Sequence, residues 1–186
     1  RYLAITGTHS TGKSTFLRLA EELLCEHGLR VGMVADKASA CHDAGFPILR
    51  DHTFESTLWI MSTVIASELE AGLQADVVLV DRPVSDALGY LEAALVTRSD
   101  TVSTAERRYL YELARHHSLR YDLVFNTVLD ASVPLGERRD PDLAYRELVA
   151  AKMVEVLREV GLSTSLLGSS DVDTALERVR QVFVPA

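Results

Sequence analysis

Short apolar segments alternate with amphipathic segments along the whole chain, and this alternation is the strongest constraint on its fold. The continuous apolar run VVLV at positions 77–80 is typical of a strand that is covered on both faces. Strands are predicted within residues 2–6, 29–36, 75–81, 121–128 and 163–168. The pattern therefore predicts right-handed βαβ units and a parallel sheet with helices on both faces.

Apolar residues at helical spacing predict the intervening helices. These helices are expected over residues 13–27, 53–72, 85–95 and 103–119, with two more near 149–160 and 172–183. In the second of them, four residues form the predicted inner stripe: Leu58, Met61, Ile65 and Leu69. Gly161 follows the fifth helix and is a natural stop.

The length and charge favour one compact domain that does not bind nucleic acid. The chain has 186 residues, which suits a single domain spanning 1–186, and 47% of them are hydrophobic. Its formal net charge is -8, and it shows no basic cluster typical of polyanion binding. An acidic surface still permits a small anionic ligand in a local site.

The sequence shows no feature that predicts association with a membrane. No apolar run reaches the ~18 residues needed to span a bilayer, and no signal-peptide pattern is visible. Cys25 and Cys41 form neither a CxxC nor a metal-binding spacing, which predicts two buried thiols in a reducing compartment. We therefore expect a cytoplasmic protein.

The segment GTHSTGKST, residues 7–15, interrupts the apolar opening between the first strand and the first helix. It matches G-x-x-x-x-G-K-[ST], whose glycines let backbone N–H groups turn inward onto phosphate oxygens. In this pattern Lys13 reaches the outer phosphates and the Ser14 hydroxyl binds Mg²⁺. The predicted nucleotide-binding residues are Gly7, His9, Ser10, Thr11, Gly12, Lys13, Ser14 and Thr15.

The third strand ends at Asp81, where phosphate-loop proteins carry the carboxylate that holds Mg²⁺ directly or through water. Ser14 and Asp81 are therefore the predicted metal residues. Arg82 follows in place of the glutamate with which motor ATPases activate water, and the guanine motif N-K-x-D is absent. This combination favours ATP as the nucleotide and disfavours a hydrolytic motor or a GTP switch.

Two further features are typical of phosphoryl transfer. Asp36 ends the second predicted strand, where a carboxylate can accept a hydroxyl proton, hold a ribose hydroxyl or cap a turn. The polar segment at about 133–146 contains Arg138 and Arg139, either of which could close over the γ-phosphoryl group as part of a small lid. The candidate catalytic residues are Lys13, Asp36, Asp81, Arg82, Arg138 and Arg139.

With these motifs in this order, the chain resembles the small P-loop nucleoside and nucleotide kinases. More narrowly, it is similar to the AAA-domain-like group that includes the nicotinamide riboside kinase domain of bacterial NAD regulators. The resemblance is carried by TGTHSTGKST, DRPVSD, GERRDPD…YR and LLGSS. It implies a three-layer P-loop NTPase sandwich with a five-stranded parallel sheet of order 2-3-1-4-5. It also implies that Asp81 and Arg82 position magnesium and phosphate, that Arg138 or Arg139 is the lid arginine, and that residues 168–170 lie near adenine.

The acceptor side departs from the pattern of these relatives. They often carry an acidic residue and, three positions later, an arginine, whereas this chain has Asp36 and Ser39. Lys37 or Arg50 could substitute for the arginine. Three aromatic residues are found in the same stretch: Phe46, Phe54 and Trp59. Each could stack on an acceptor base or pack in the core.

We expect a phosphotransferase that uses ATP and Mg²⁺ and acts on a nucleoside, nucleotide or related small metabolite. Two alternatives remain open: an NTP-binding regulatory or sensing domain, and an ATPase component of a larger assembly. Asp36, Arg82 and the lid arginines have no evident purpose in a pure sensor. The missing Asp-Glu pair disfavours the ATPase.

Overall fold

A five-stranded parallel sheet forms the centre of the computed structural model, which describes residues 1–8, 12–128, 142–168 and 170–185. The strands are β1 (Tyr2–Thr6), β2 (Val31–Val34), β3 (Val77–Asp81), β4 (Leu123–Thr127) and β5 (Ser165–Leu167). The helices are α1 (Lys13–Glu26), α2 (Ala38–Asp43), α3 (Phe54–Gly72), α4 (Val84–Arg98), α5 (Thr104–Ser118), α6 (Leu143–Val160) and α7 (Val172–Phe183). A 3-10 turn, Leu49–Asp51, lies between α2 and α3. Within the described ranges, no helix has both the length and the apolar character needed to cross a membrane.

The strands are ordered β2-β3-β1-β4-β5, and each neighbouring pair is parallel, which confirms the predicted sheet. β1 lies in the middle, where Leu3 is in register with Leu79 of β3 and Leu123 of β4. Because all the strands run the same way, the residues that follow β1, β2 and β3 emerge at one edge of the sheet.

Helices cover both faces of the sheet because its central strands are apolar on both sides. Leu3 and Ile5 of β1 pack with Phe125 of β4 against α1 and α7. Ala4, which lies between them, belongs to the opposite cluster that α3, α4, α5 and α6 complete. Successive side chains of a strand point to opposite faces, so a single strand contributes to two cores. The predicted three-layer arrangement is therefore confirmed.

The segment between β2 and α3 differs most from the prediction. Residues 38–43 form α2 in a stretch for which the sequence predicts no element. This helix has six residues and a single buried side chain, Cys41, so it presents no apolar stripe that periodicity could detect. Cys25 is exposed, so the prediction of two buried thiols is correct only for Cys41.

The inner face of α3 buries a carboxylate where the sequence predicts a leucine. Leu69 is 49% exposed, whereas Glu68 is fully buried. One Glu68 carboxylate oxygen lies 2.7 Å from His117 Nε2, and the other accepts a hydrogen bond from the Tyr121 hydroxyl at 2.8 Å. These partners replace water around the carboxylate and so make its burial tolerable. The predicted stripe was wrong at this position because periodicity counts only apolar residues.

We predict that Glu68→Ala lowers the free energy of unfolding by about 3–5 kcal/mol, because the change leaves the buried His117 and Tyr121 without their shared partner. Leu69→Ala, one position along the same helix, is the matched control and should change it by less than about 0.5 kcal/mol. Urea denaturation followed by circular dichroism measures both values. If Leu69→Ala lowered the free energy of unfolding more than Glu68→Ala does, the result would instead support the stripe predicted from the sequence.

Candidate active site

Predicted site residues that the structure describes meet at the carboxyl edge of the sheet. Gly7 follows β1, Asp81 is the last residue of β3, and Asp36 lies two positions beyond β2. Because β3 lies between β2 and β1 in the sheet, Asp81 and the adjacent Arg82 lie between Asp36 and Gly7. Five predicted residues lie outside the described part of the chain: His9, Ser10, Thr11, Arg138 and Arg139.

Two glycines shape the described ends of the phosphate loop. Gly7 has φ +129, and a Cβ atom added there would lie 2.1 Å from Thr127 Oγ1. Gly12 has φ 82 and immediately precedes α1. Glycine adopts both conformations readily, whereas other residues rarely do. The loop therefore ends at a helix N-terminus, which is a favourable position for phosphate.

Lys13 is buried at the start of α1 and is only 6% exposed. Its Nζ donates a hydrogen bond to the backbone carbonyl oxygen of Thr8. Burial, followed by the charge of Arg82, lowers the pKa of Lys13 to about 7, although Asp81 is among the carboxylates that oppose this shift. A bound phosphate would add negative charge beside the amine and so favour its protonated form.

Ser14 and Asp81, the predicted metal residues, are in direct contact. The Ser14 hydroxyl donates a hydrogen bond to Asp81 Oδ2 at 3.1 Å. Asp81 Oδ1 is buried and has no hydrogen-bond partner within the described part of the chain. A hydroxyl beside a carboxylate oxygen that lacks a partner suits Mg²⁺, which prefers oxygen ligands. Among the described residues there is no group of three or more His, Cys, Asp and Glu side chains that could hold a metal, so phosphate and water would have to supply the other ligands.

Arg82 connects the start of the phosphate loop to Asp36 beyond β2. Its backbone has φ 72, which is uncommon for a residue other than glycine, and the residue is 7% exposed. Its Nε donates to Asp36 Oδ2 at 2.9 Å, and its Nη1 donates to the Gly7 carbonyl at 2.9 Å and to Asp86 Oδ2 at 3.4 Å. Burial alone would lower the pKa of Arg82, but Tyr90 and the carboxylates raise it above its ordinary value. Arg82 therefore remains charged.

Asp86 is a residue of the site to which the sequence analysis assigned no role, although it belongs to the DRPVSD motif. It lies on the first turn of α4 and is 2% exposed. Its Oδ1 accepts a hydrogen bond from the Thr6 hydroxyl, and its Oδ2 faces Arg82. Burial raises the pKa of Asp86 to about 6, while Arg82 and Thr6 oppose the shift. The spacing of four residues from Arg82 was the signal that could have identified it.

A cavity of about 30 Å³ lies next to these charged groups. Its charged lining includes Asp36, Arg82 and Asp86, and apolar walls come from residues such as Ile60 and Ala87 of α3 and α4. The rings of His52 and Tyr90 line it as well and stack on each other, with centroids 5.7 Å apart and planes 23° apart. Asp36 thus lines a cavity, and the binding of an acceptor there stays a prediction.

The aromatic residues considered for stacking on an acceptor base lie elsewhere. The rings of Phe46 and Trp59 are 6.0 Å apart, and Phe54 lies 6.5 Å from Tyr109. All three pack against the larger core cluster, and none is among the described residues that line the cavity. The structure therefore supports the packing interpretation. Tyr90 and His52 provide the aromatic wall instead.

Only the end of the predicted lid is described, and it contacts Arg50. Asp142 accepts a hydrogen bond from the Ala144 N–H at 2.9 Å and pairs with Arg50 at 2.7 Å. The Arg50 guanidinium also lies 4.4 Å from the centroid of the Tyr145 ring. Of the two proposed substitutes for the missing arginine, Lys37 lines the cavity, whereas Arg50 contacts the start of α6.

Three other predicted positions are described, namely Thr15, Gly168 and Ser170, whereas Ser169 lies outside the described part of the chain. Thr15 is exposed on the first turn of α1. The Gly168 N–H and the Ser170 hydroxyl both donate to the carboxylate of Asp171, at 3.1 and 3.2 Å. These bonds stabilise the turn between β5 and α7, and its position next to adenine stays a prediction.

Comparison with known proteins identifies relatives of this fold. A family model described as AAA domain matches residues 2–174. The crystal structure of NadR protein in complex with NAD and AMP-PNP aligns with a TM-score of 0.67 and 15% identity, over 100% of this chain and 50% of that chain. NadR protein in complex with NR aligns with a TM-score of 0.74 and 14% identity, over 100% and 52%. Deoxyadenosine kinase from M. mycoides with bound dATP aligns with a TM-score of 0.61 and 14% identity, over 97% and 98%.

The chain thus spans about half the length of the NadR proteins and nearly the whole length of the deoxyadenosine kinase. At these identities the likeness shows the fold, which is the P-loop kinase fold with a central sheet of order β2-β3-β1-β4-β5. Comparison with curated protein sequences found no match.

We predict that ATP binding takes up a proton near pH 8. The pKa of Lys13 is lowered to about 7, so its amine is mostly neutral at about pH 8 without ligand and becomes protonated when phosphates raise its pKa. At about pH 6 the amine is protonated in both states, and Lys13 contributes no uptake. Isothermal titration calorimetry in buffers of different ionisation enthalpy measures the number of protons.

Lys13→Arg is the control for this measurement, since arginine keeps its charge at either pH. The variant should bind without the uptake that Lys13 contributes. An equal uptake by the wild type and Lys13→Arg at about pH 8 would contradict the assignment, because the proton would then bind elsewhere.

Proposed function

The chain belongs to the AAA domain family, and we propose that it is a kinase that uses ATP and Mg²⁺ to phosphorylate a hydroxyl group of a nucleoside-like acceptor. The observation that carries this proposal is the ion pair between Arg82 and Asp36, with 2.9 Å between Nε and Oδ2. It holds a carboxylate in the lining of a cavity, and the same guanidinium contacts the start of the phosphate loop. A protein that only senses or hydrolyses a nucleotide has no need of this arrangement.

The nucleotide side of the proposal rests on the loop and the residues around it. Lys13 would contact the β- and γ-phosphates, and Gly7 and Gly12 would let the loop backbone approach them. Ser14 and Asp81 are the residues that would hold Mg²⁺, whose charge stabilises the phosphates during transfer. Arg138 and Arg139 remain the proposed lid arginines.

Asp36 is the proposed general base. The acceptor hydroxyl would give its proton to Asp36 as its oxygen attacks the γ-phosphorus. The new O–P bond forms, the bond from the γ-phosphorus to the β–γ bridging oxygen breaks, and ADP leaves. The Arg82 Nε–H and the Ala38 N–H each donate to a different oxygen of Asp36, which orients the carboxylate.

Asp36 is better placed for this role than Asp86. The side chain of Asp36 is 21% exposed, whereas that of Asp86 is 3% exposed. Asp86 also accepts the hydrogen bond of Thr6 and faces Arg82. We therefore assign to Asp86 the orientation of Arg82.

The charges that line the cavity favour a nucleoside over a nucleoside monophosphate. Asp36 and Asp86 contribute two carboxylates, and the Arg82 guanidinium already donates to both of them and to Gly7. An acceptor phosphate would place a further negative charge beside these carboxylates, and strong phosphate sites generally offer an open arginine fork. Lys37 is a cation in the lining, but it is a single point charge.

Acceptor binding requires the cavity to widen. Its volume of about 30 Å³ has room for one or two water molecules, which is far less than a nucleoside needs. The short helix α2 and the 3-10 turn at Leu49–Asp51 contribute lining residues and have few helical hydrogen bonds of their own. We propose that this segment moves outward when the acceptor enters.

The test of the proposed function is a transfer assay with γ-labelled ATP, Mg²⁺ and a panel of ribonucleosides, deoxyribonucleosides, nicotinamide riboside and nucleoside monophosphates. We predict label on a nucleoside, and a loss of at least about 100-fold in Lys13→Ala because the phosphates lose their buried cation. Lys152→Ala, on the outer part of α6, is the matched control and should keep full activity. Label only on monophosphates would refute the acceptor class, and label only in free phosphate would favour the ATPase alternative. Label that stays on ATP would favour a sensor.

A second prediction for the proposed function tests whether Asp36 acts as the general base or binds the nucleotide. Asp36→Asn should lower kcat by roughly 10²–10⁴-fold, because the amide cannot accept the proton, while ATP affinity changes little. Asp43→Asn, an exposed position at the end of α2, is the matched control and should behave as wild type. Single-turnover kinetics and equilibrium ATP binding measure the two quantities. A fall in ATP affinity with unchanged transfer from bound ATP would assign Asp36 to nucleotide binding.

A further inference from the structure

His52 is fixed in the wall of the cavity by contacts on several sides. The residue is 2% exposed and follows the 3-10 turn. Its ring stacks on Tyr90, with 5.7 Å between the ring centroids. Its backbone carbonyl accepts a hydrogen bond from Arg98 Nη2 at 2.8 Å. The imidazole therefore has a defined place and orientation.

The hydrogen bonds of His52 also determine which ring nitrogen carries the proton. Nδ1 lies 3.2 Å from the carbonyl oxygen of Leu49. Since a carbonyl oxygen can only accept, Nδ1 must be the nitrogen that bears hydrogen. Burial lowers the pKa of His52 to about 4, so the ring is neutral near pH 7. Nε2 is then a bare acceptor that cannot donate a hydrogen bond.

Nε2 has no hydrogen-bond partner within the described part of the chain, and it is buried. A buried polar atom without a partner is unfavourable by an amount comparable to a lost hydrogen bond. The stacking on Tyr90 and the hydrogen bond from Nδ1 to Leu49 account for the ring and for its other nitrogen, but neither gives Nε2 a partner. The atom belongs to a side chain that lines the same cavity as Asp36 and Arg82.

We propose that His52 determines acceptor specificity, with Nε2 accepting a hydrogen bond from an O–H or N–H group of the nucleoside, and this assignment rests on the function proposed above. The donor is a different group from the hydroxyl that Asp36 deprotonates, because the two residues are separate acceptors in the lining. The acceptor molecule must then present two donors, such as a second sugar hydroxyl or an exocyclic amine. A molecule with a lone pair in this position would face Nε2 with another lone pair and would be rejected.

The test compares kcat/KM for wild type, His52→Phe and His52→Gln on the best nucleoside of the panel and on analogues that each lack one donor. The analogues are its 2′-deoxy, 3′-deoxy and amine-dimethylated forms. For the wild type, kcat/KM for one analogue should be roughly 10- to 100-fold lower than for the parent nucleoside. In His52→Phe, kcat/KM for the parent nucleoside should fall by a similar factor. The variant should then have similar kcat/KM values for the parent and for that analogue. His52→Gln should recover much of the loss, because the amide oxygen can accept near the position of Nε2.

A direct measurement on the wild type does not depend on any variant. In the absence of a nucleoside, the ¹⁵N NMR signal of His52 Nε2 should be that of an unprotonated nitrogen. It should shift when the parent nucleoside binds and should stay in place with the analogue that lacks the critical donor. This readout keeps the proposal testable if His52→Phe does not fold.

Several outcomes would overturn the proposal. An equal loss on every analogue in His52→Phe would show that the ring has only a structural role. Unchanged kinetics in His52→Phe would show that Nε2 meets only water. His116→Phe, at an exposed position of α5, is the matched control and should leave all rates unchanged. If the wild type phosphorylates no nucleoside, the proposed function fails and this assignment fails with it, whereas transfer without donor discrimination refutes His52 alone.

Discussion

The buried guanidinium of Arg82 is the interaction on which the site depends. It contacts Asp36 after β2, the carbonyl of Gly7 after β1 and Asp86 on α4. Through one side chain, these contacts join the phosphate loop, the segment after β2 and the first turn of α4. Because Arg82 is 7% exposed, these partners and not water compensate its charge. The backbone adopts an uncommon positive φ at this residue, and the surrounding contacts hold it there.

The cations and carboxylates of the site already interact with one another before any ligand binds. Lys13 and Arg82 are the buried cations, and Asp36, Asp81 and Asp86 act on the pKa of both. This local arrangement explains how a chain of net charge -8 can offer a site for an anion. Phosphates would compete with the carboxylates for the same cations. The proposed chemistry therefore begins with an exchange of partners, and Lys13, whose amine is near its pKa at neutral pH, is the group most sensitive to it.

A second buried polar network lies behind the site. Glu68 of α3 joins His117 of α5 and Tyr121, and the Tyr121 hydroxyl accepts a hydrogen bond from the Val84 N–H at 3.4 Å. Val84 is the first residue of α4, the helix that carries Asp86 and Tyr90. A fully paired polar network in an apolar core favours a single packing arrangement. The start of α4 is thus supported from the core side as well as from Arg82.

The sequence by itself determined the five strands, six of the seven described helices, the parallel sheet and the edge at which the candidate residues meet. These features follow from local periodicity and from a loop motif whose residues are adjacent in the chain, so no tertiary information is needed to predict them. The tertiary structure alone decided which groups meet: Arg82 with Asp36 across 46 positions, Thr6 with Asp86 across 80, and Glu68 with His117 across 49. It also decided that His52 and Tyr90 line the cavity, whereas Phe46, Phe54 and Trp59 pack against the core. The physical reason is that periodicity records how apolar a face is, whereas the partner of a buried polar group depends on which distant segments pack against it.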